Sequence, residues 1–203
     1  MRINENTKLI GNKLIFVPYK KHHVEKYHKW MQSTELLEKT ASETLSLDQE
    51  YEMQHSWWID DDKCTFILLS KNNINSKSKE CEINSMIGDV NLFFNNMDNK
   101  NEAELEVMIA DTLHRGQGLG KEAVVVMMFY GYLYLNVSLF SVKIGFSNVA
   151  SIKLFTKLGF KEISKSNVFK EVTLALDCTS TEFQANILAV SYTHLTLPTI
   201  YSV

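Results

Sequence analysis

A glycine-rich loop between an apolar strand and a long apolar helix limits most strongly how this chain can fold. The loop is Arg115-Gly116-Gln117-Gly118-Leu119-Gly120, and the pattern predicts a strand that ends at Ala110 and a helix over about Leu119 to Leu135. The first turn of a helix offers unpaired N–H groups and the positive end of the helix dipole. Glycine has no Cβ, so the backbone can approach a ligand closely. The segment therefore predicts a site for an anion such as a pyrophosphate.

Two familiar phosphate-binding motifs do not fit this loop. The dinucleotide fingerprint G-x-G-x-x-G needs its third glycine one residue later than Gly120. The P-loop needs a glycine where Arg115 stands, and a Ser or Thr after Lys121, where the chain has Glu122. For the loop taken alone, a glycine-rich turn that only joins a strand to a helix remains the alternative.

A second motif follows further along the chain. Asn148 precedes a helix predicted from Val149 to Leu158, and Gly159-Phe160 closes it. Loop and motif together resemble the GNAT superfamily of N-acetyltransferases, which pairs an R/Q-x-x-G-x-G/A loop with a later strand, Asn, helix and Gly-Phe. The resemblance covers roughly residues 14 to 176. The matching residues are Arg115, Gly118, Gly120, Asn148, Leu154, Gly159 and Phe160.

The order of predicted elements indicates an α/β fold of the mixed α+β kind, with helices on both faces of a mixed sheet. Met86–Phe94 and Ala103–Ala110 are predicted to form an antiparallel pair. The resemblance implies the GNAT fold, a twisted, mostly antiparallel sheet that splays between its two central strands. These would be Ala103–Ala110 and Phe140–Phe146. Lys71–Asn84 is predicted to be a surface loop, and 168–176 the final strand.

One domain over residues 1–177 is expected, because 203 residues suffice for a single sizeable core and would crowd two. Residues 178–203 differ in character, with Glu182 as their single charged residue. We interpret them as a tail that is either foreign to the domain or a disordered native segment.

The resemblance implies acetyl-coenzyme A as the co-substrate. The glycine-rich loop would bind its phosphates, and the backbone of the strand before the loop would hold the pantetheine arm and polarise the acetyl carbonyl. Asn148 and Ser151 would lie beside the arm in the gap between the splayed strands. The implied cofactor-binding residues are Val107, Met108, Ile109, Arg115, Gly116, Gln117, Gly118, Leu119, Gly120, Asn148 and Ser151.

The proton-handling residues depart from the family pattern. Related bacterial ribosomal-protein acetyltransferases carry a Glu base on the later strand and a Tyr acid in the following helix, where this chain has Lys143 and Phe155. Phe155 has no proton to give, and an ordinary lysine is cationic at neutral pH. Glu106 is the remaining candidate base, unless it is a solvated strand carboxylate. Water and a Lys143 with a lowered pKa are the alternatives.

The acceptor amine is also implied by resemblance. The stretches Met1–Thr7, Thr40–Glu43, Gly88–Phe93 and Glu106–Ala110 resemble the eukaryotic N-acetyltransferase 9 family. That family implies the N-terminal α-amines of α- and β-tubulin as acceptors, hence a protein partner and an association with microtubules.

Two neighbouring polar residues, Asp89 and Asn91, are candidates for binding the acceptor amine, or else are ordinary polar residues of a strand edge. Two other functions stay open. One is a protein that binds acetyl-coenzyme A or tubulin but catalyses little. The other is a small-molecule amine acetyltransferase, since acceptor specificity resides in the variable segment 34–45 and the final loops.

Several function classes are disfavoured by composition. A net charge of −3 gives no reason to expect nucleic-acid binding. The chain begins without an apolar signal core and has no stretch apolar enough to span a bilayer, so we expect a cytoplasmic protein without a membrane partner. The three cysteines are few, odd in number and far apart, which indicates free thiols.

No metal is expected from the sequence. His22, His23 and His28 lack the i, i+4 spacing of a helical metal pair, so an exposed helix face is the simpler interpretation.

Overall fold

A mixed sheet of eight strands runs through the part of the chain that the computed structural model describes, residues 2–74, 76, 78–95 and 101–189. The strands are β1 (Leu9–Ile10), β2 (Leu14–Pro18), β3 (Lys63–Ser70), β4 (Met86–Phe93), β5 (Glu102–Ile109), β6 (Leu139–Gly145), β7 (Lys161–Ser166) and β8 (Glu171–Asp177). Their order across the sheet is β1-β2-β3-β4-β5-β6-β8-β7. Neighbours are antiparallel except β5 and β6, which run parallel. The mixed, mostly antiparallel sheet is thus confirmed.

Helices cover both faces of the sheet, as expected. They are α1 (Val24–Trp30), α2 (Thr34–Thr40), α3 (Leu47–Ile59), α4 (Lys79–Ser85), α5 (Leu119–Tyr134), α6 (Val149–Leu158) and α7 (Thr181–Phe183), which a π-helical turn (Gln184–Leu188) continues. A capping box opens α3: the Gln49 backbone N–H donates to Ser46 Oγ at 3.3 Å, and Gln49 Oε1 accepts from the Ser46 N–H at 2.8 Å. Within the described residues, no helix combines the length and apolar character needed to cross a membrane.

Alternation along the strands divides the core into two layers. Phe66 and Leu105 belong to the larger layer, which packs against helix α5, most of whose residues are buried. Ile67 and Met108 belong to the smaller layer, beneath α1, α2 and α3. Because side chains alternate along a strand, the residues of β5 that share a face with Met108 point toward α1–α3. We call this the α1–α3 face.

The sheet opens between its two central strands. Glu102–Glu104 of β5 pair with Leu139–Ser141 of β6, and the pairing of these two strands ends there. Beyond this short segment β5 stays paired with β4, and β6 stays paired with β8. A gap therefore widens toward the carboxyl ends of both strands, as predicted.

One prediction about local structure is wrong, and one strand was not predicted. The predicted surface loop Lys71–Asn84 contains helix α4, whose first turn is capped by Ser78 Oγ accepting from the Cys81 N–H at 3.1 Å. The final strand predicted at 168–176 is present as β8, but β7, which forms a hairpin with it, was not predicted. β7 was missed because most of its residues are exposed on both faces, so the chain shows no apolar alternation there.

The predicted domain boundary at residue 177 is also too early. Cys178, Phe183 and Ile187 are buried in the larger core layer. The Asn186 side chain donates to the Leu158 carbonyl at 3.2 Å, at the end of α6. The packed domain therefore extends to at least Leu188, whereas residues 190–203 lie outside the described residues and the prediction about them stays a prediction.

Replacement of Phe183 by Ala tests this correction. Phe183 is fully buried, so the substitution should lower the free energy of unfolding by about 3–5 kcal/mol in a denaturant titration. Val168→Ala is the matched control, since Val168 is 85% exposed and its truncation should change stability by less than about 0.5 kcal/mol. Equal stability of Phe183→Ala and the wild type would mean that the segment after residue 177 adds nothing to the fold.

Candidate active site

A carboxylate and an ammonium face each other where the gap begins. Ser141 of β6 is the last residue in register with Glu104 of β5. Two residues further along each strand, on the same face, stand Glu106 and Lys143. Lys143 Nζ lies 2.8 Å from Glu104 Oε2, so the ammonium is held beside the apex of the gap. The predicted candidate base is therefore on the α1–α3 face and at the gap.

The environment of Glu106 favours proton exchange near neutral pH. Its side chain reaches solvent, yet protein atoms surround it closely enough to strip much of its hydration. This desolvation, with the charges of Asp89 and Glu104, raises the pKa of Glu106 to about 7, and Lys143 partly opposes the rise. A general base works best when its pKa lies near the working pH.

Asp89 and Asn91 lie directly beside Glu106 on β4. Asn91 is the register partner of Glu106, and Asp89 that of Met108. Asp89 Oδ2 accepts hydrogen bonds from Asn91 Nδ2 at 2.8 Å and from the Tyr27 hydroxyl at 3.5 Å. Burial raises the pKa of Asp89 to about 6. Asp89 Oδ1 and Asn91 Oδ1 are buried and have no hydrogen-bond partner within the described residues.

A third carboxyl lies deeper under the helices. Glu50 of α3 is 1% exposed, burial raises its pKa, and its Oε2 has no hydrogen-bond partner among the described residues. Its other oxygen lies 3.8 Å from His28 Nδ1. Burial, followed by the charges of Glu50 and Asp89, raises the pKa of the Tyr19 hydroxyl. This face of the sheet is therefore rich in acceptor oxygens, which suits a cationic or N–H-bearing ligand. Sequence reasoning named neither Glu50 nor Tyr19 as a site residue, because no local pattern ties them to β4.

The loop before α5 has the shape that an anion site requires. Gly116 and Gly118 have φ values of +74° and +80°, in the left-handed region that favours glycine, and a Cβ added at either position would meet no atom within 4 Å. A Cβ added at Gly120 would lie 3.8 Å from the Ile109 side chain and 3.9 Å from the Leu154 side chain, at ordinary contact distance. Leu119 is buried, so only its backbone can contribute. Space, backbone conformation and helix N-terminus together fit an anionic group such as a phosphate.

The side chains of Arg115 and Gln117 already have protein partners. Arg115 Nε donates to the Ile109 carbonyl at 2.9 Å, and its Nη1 lies 2.7 Å from Glu35 Oε1 of α2. Gln117 Nε2 donates to the Leu113 carbonyl at 2.7 Å. Arg115 therefore ties the end of β5 to α2. A cofactor-binding role for these two side chains stays a prediction.

A clamp that sequence reasoning missed fixes the start of α5. Glu122 Oε1 accepts from the N–H groups of Lys13 and Leu14, at 2.8 and 3.0 Å, and so ties the first turn of α5 to the turn before β2. Lys13 Nζ donates to the Gln117 carbonyl at 3.0 Å.

The later motif forms the other side of the gap. Asn148 Oδ1 accepts from the Ser151 N–H at 3.2 Å and caps α6, just after the end of β6. Phe155 is buried against Phe160, with ring centroids 5.0 Å apart, so it is a core residue. On the opposite side, Val107–Ile109 continue β5 past its paired segment. The backbone groups of Val107 and Ile109 face the gap, whereas those of Met108 face β4, because the Ala110 N–H donates to the Ile87 carbonyl and hydrogen-bonded pairs alternate along antiparallel strands. The Ile109 carbonyl is taken by Arg115.

The alternative of Lys143 as a base with a lowered pKa is wrong. Its hydrogen bond to Glu104 is the largest influence and raises the pKa of Lys143, with further contributions from the charges of Glu171 and Glu106. Lys143 is therefore a cation at neutral pH.

The expectation of an exposed histidine face is wrong for His23, which is fully buried. His22 Nε2 and His23 Nε2 lie 2.7 and 2.9 Å from Glu82 Oε1, a grouping with the residue types of a metal site. His23 Nδ1, however, accepts a hydrogen bond from the Lys20 N–H at 3.0 Å. In the neutral ring this places the proton on Nε2, where it donates to Glu82 and leaves no lone pair for a metal. The cluster instead joins α4 to the turn before α1.

Known proteins resemble this chain in sequence or in fold. A model of the acetyltransferase (GNAT) domain matches residues 13–161. The N-acetyltransferase 9-like protein of Nematostella vectensis is 54% identical over 193 residues, covering 95% of this chain and 97% of that protein. The alpha/beta-tubulin-N-acetyltransferase 9 of Homo sapiens is 48% identical over 185 residues, covering 91% and 89% respectively.

Among solved structures, the spermidine N-acetyltransferase of Vibrio cholerae in complex with CoA and spermine is similar in fold. Its TM-score is 0.68 at 16% identity, and the match covers 87% of this chain and 98% of that one.

The raised pKa of Glu106 predicts a stability effect that depends on pH. The pKa of Glu106 is about 4.3 in the unfolded chain and about 7 in the folded chain. Between these two pH values the unfolded state therefore binds fewer protons than the folded state. Folding stability therefore falls as pH rises through this window. Glu106→Gln should raise the thermal unfolding midpoint above pH ~7, and the gain should shrink as pH falls toward ~4.3.

Glu43→Gln is the control, because Glu43 is an exposed carboxylate in the segment between α2 and α3. It should leave the unfolding midpoint nearly unchanged across the same range. A midpoint for Glu106→Gln below that of the wild type at every pH would contradict the described environment of Glu106.

Proposed function

Because this chain belongs to the GNAT acetyltransferase family, we propose that it transfers the acetyl group of acetyl-coenzyme A to the N-terminal α-amine of a protein. The observation that supports this most is the position of Glu106 at the apex of the gap between β5 and β6, where the pKa of its carboxyl is about 7, near neutral pH. Its neighbours Asp89 and Asn91 present buried acceptor oxygens to the same face.

Different parts of the gap would bind different parts of acetyl-coenzyme A. Toward the open end, the Gly116–Gly120 backbone and the N-terminus of α5 would bind the phosphates. Along the gap, the backbone of Val107 would hold the pantetheine arm, because within the described residues β5 does not pair with β6 beyond Glu104. Asn148 and Ser151 would border the arm from the β6 side. In this arrangement the acetyl group would lie near Glu106.

Glu106 would act as the general base. An ammonium has no lone pair with which to attack a thioester, so the acceptor reacts as the neutral amine, and its nitrogen must lose one further proton once the C–N bond has formed. Glu106, with a pKa of about 7, can accept that proton at neutral pH either directly or through water. Asp89 and Asn91 would hold the amine or the water beside it through Oδ1 of each side chain.

The match of pKa values favours an α-amine over a lysine side chain. An N-terminal amine titrates near about 7.7–8.0 and a lysine near about 10.4, so only the α-amine is substantially neutral near pH 7. A base with a pKa near 7 suffices for the first and is weak for the second.

Tubulin is the acceptor that the relatives suggest, because the Homo sapiens protein at 48% identity is named an alpha/beta-tubulin-N-acetyltransferase. An enzyme acting on tubulin would work in the cytoplasm, at or near microtubules. The acceptor oxygens of Glu50, Asp89 and Asn91 would equally suit a small cationic amine, which makes a polyamine the second candidate acceptor. A protein that binds the co-substrate or tubulin with little catalysis is the third possibility.

Two nearly isosteric substitutions of Gly118, by Asp and by Asn, test co-substrate binding. Both Asn and Asp tolerate a left-handed backbone, but only Asp adds a negative charge where phosphates are proposed to bind. Gly118→Asp should lose far more affinity for acetyl-coenzyme A in calorimetry than Gly118→Asn. Equal affinities in two folded variants would remove the loop from the binding site.

Glu106→Gln tests proton transfer, because it keeps the size of the side chain but cannot accept a proton. Turnover of an N-terminal peptide should fall by ~10²–10⁴, with the affinity for acetyl-coenzyme A nearly unchanged. In the wild type kcat/KM should fall as pH drops below about 7, where Glu106 becomes protonated, and the variant should lose this limb. A loss of less than ~3-fold with the same pH profile would leave water as the proton acceptor.

A further inference from the structure

Lys143 occupies a position that proton transfer to Glu106 does not explain. It is the first residue of β6 on the α1–α3 face beyond the paired segment, as Glu106 is on β5. Its ammonium lies 2.8 Å from Glu104 Oε2, and its side chain is 49% exposed, whereas that of Glu104 is 13% exposed. The ion pair therefore holds a positive charge at the apex of the gap, on the side opposite Glu106.

The reaction needs a positive group at this place. When the thioester C–S bond breaks, negative charge develops on the sulfur of coenzyme A. Phe155, at the position where related bacterial enzymes place an acid, is buried and carries no proton. Of the described side chains at the apex, Glu104 and Glu106 are carboxyls, so they would oppose that charge.

We propose that Lys143 is a catalytic residue that stabilises the thiolate of coenzyme A as it leaves, with Glu104 as the positioning residue that holds the ammonium at the gap. This inference rests on the proposed function, since it assumes that the reactive end of the pantetheine arm reaches the apex. Fixed charges aimed at developing charge are an effective form of catalysis.

Atoms and charge balance with these residues. The amine nitrogen bonds to the acetyl carbon, and Glu106 takes the proton that the nitrogen releases. The C–S bond breaks, and its electron pair stays on sulfur beside the Lys143 ammonium. The proton on Glu106 then reaches the thiolate through solvent, which regenerates the carboxylate and yields an amide and a free thiol.

The surroundings keep Lys143 charged while it acts. Glu104, Glu171 and Glu106 all face it, and the hydrogen bond to Glu104 contributes most to the raised pKa of Lys143. In return, Lys143 opposes the influence of Asp89 and Glu104 on Glu106 and so limits the rise in its pKa. Removing Lys143 and removing Glu104 should therefore shift the pKa of Glu106 in opposite directions.

The direct test titrates the thiol of coenzyme A bound to the full chain, through the ultraviolet absorbance of the thiolate, with desulfo-coenzyme A as the blank. In the wild type the bound thiol should titrate at a lower pH than the free thiol. Lys143→Met should reduce the thiolate fraction at a given pH by about tenfold, the equivalent of one pKa unit. Lys143→Arg should retain the wild-type behaviour. Glu104→Gln should lose part of the effect, and less than Lys143→Met, because the ammonium remains but no charged partner fixes its position.

A bound thiol that titrates alike in Lys143→Met and the wild type would overturn the inference. Equal losses in Lys143→Met and Glu104→Gln would overturn it too, since they would mean that only the ion pair matters. Failure of the wild type to bind coenzyme A would instead count against the proposed function itself.

Single-turnover rates give a second readout. Lys143→Met should slow acetyl transfer by ~10²-fold with coenzyme A affinity retained, near the lower end of what losing one charge-stabilising group costs. The acid limb of the pH profile should move to higher pH in Lys143→Met and to lower pH in Glu104→Gln. An undiminished rate in Lys143→Met, or shifts in the same direction, would contradict the role.

Discussion

The separation of β5 from β6 is the constraint on which the rest of the structure depends. The two strands pair over three residues each and then diverge, while β4 and β8 hold their outer edges. An interior sheet edge without strand partners is costly unless a ligand or solvent satisfies its backbone groups. The divergence thus creates, in one step, a backbone edge that can receive an extended ligand and an apex where Glu106 and Lys143 face each other.

Both strands also end at motifs that complete the site. β5 leads to the glycine-rich loop, whose position is fixed by Arg115 on one side and by the Glu122 clamp on the other. β6 leads to Asn148, which caps α6. Because the two strands are parallel, these motifs lie at the same end of the sheet, so one extended ligand can contact both.

The carboxyl groups on the α1–α3 face lower the stability of the fold and favour proton transfer. Asp89, Glu50 and Glu106 all have raised pKa values, chiefly because burial of Asp89 and Glu50, and the protein atoms crowded around the exposed Glu106, remove their hydration. A chain selected for stability alone would replace such carboxyls with apolar or neutral side chains. Their clustering near the gap is typical of a functional site, where shifted pKa values concentrate.

Local motifs could be predicted from the sequence, whereas their tertiary partners could not. The glycine-rich loop and the helix after Asn148 depend on backbone conformation and capping, which nearby residues specify. Strand alternation placed Glu106 on the correct face. Glu50 and the packing of Phe183 depend on contacts between distant segments, and no periodicity reveals them.

Labelling of tubulin most directly tests the central claim that this enzyme acetylates an N-terminal α-amine with Glu106 as base. Tubulin is incubated with isotope-labelled acetyl-coenzyme A and either the wild type or Glu106→Gln, and its peptides are analysed by mass spectrometry. We expect label on the N-terminal peptides with the wild type and very little with the variant. Label confined to lysine side chains, or equal labelling by both proteins, would contradict the account.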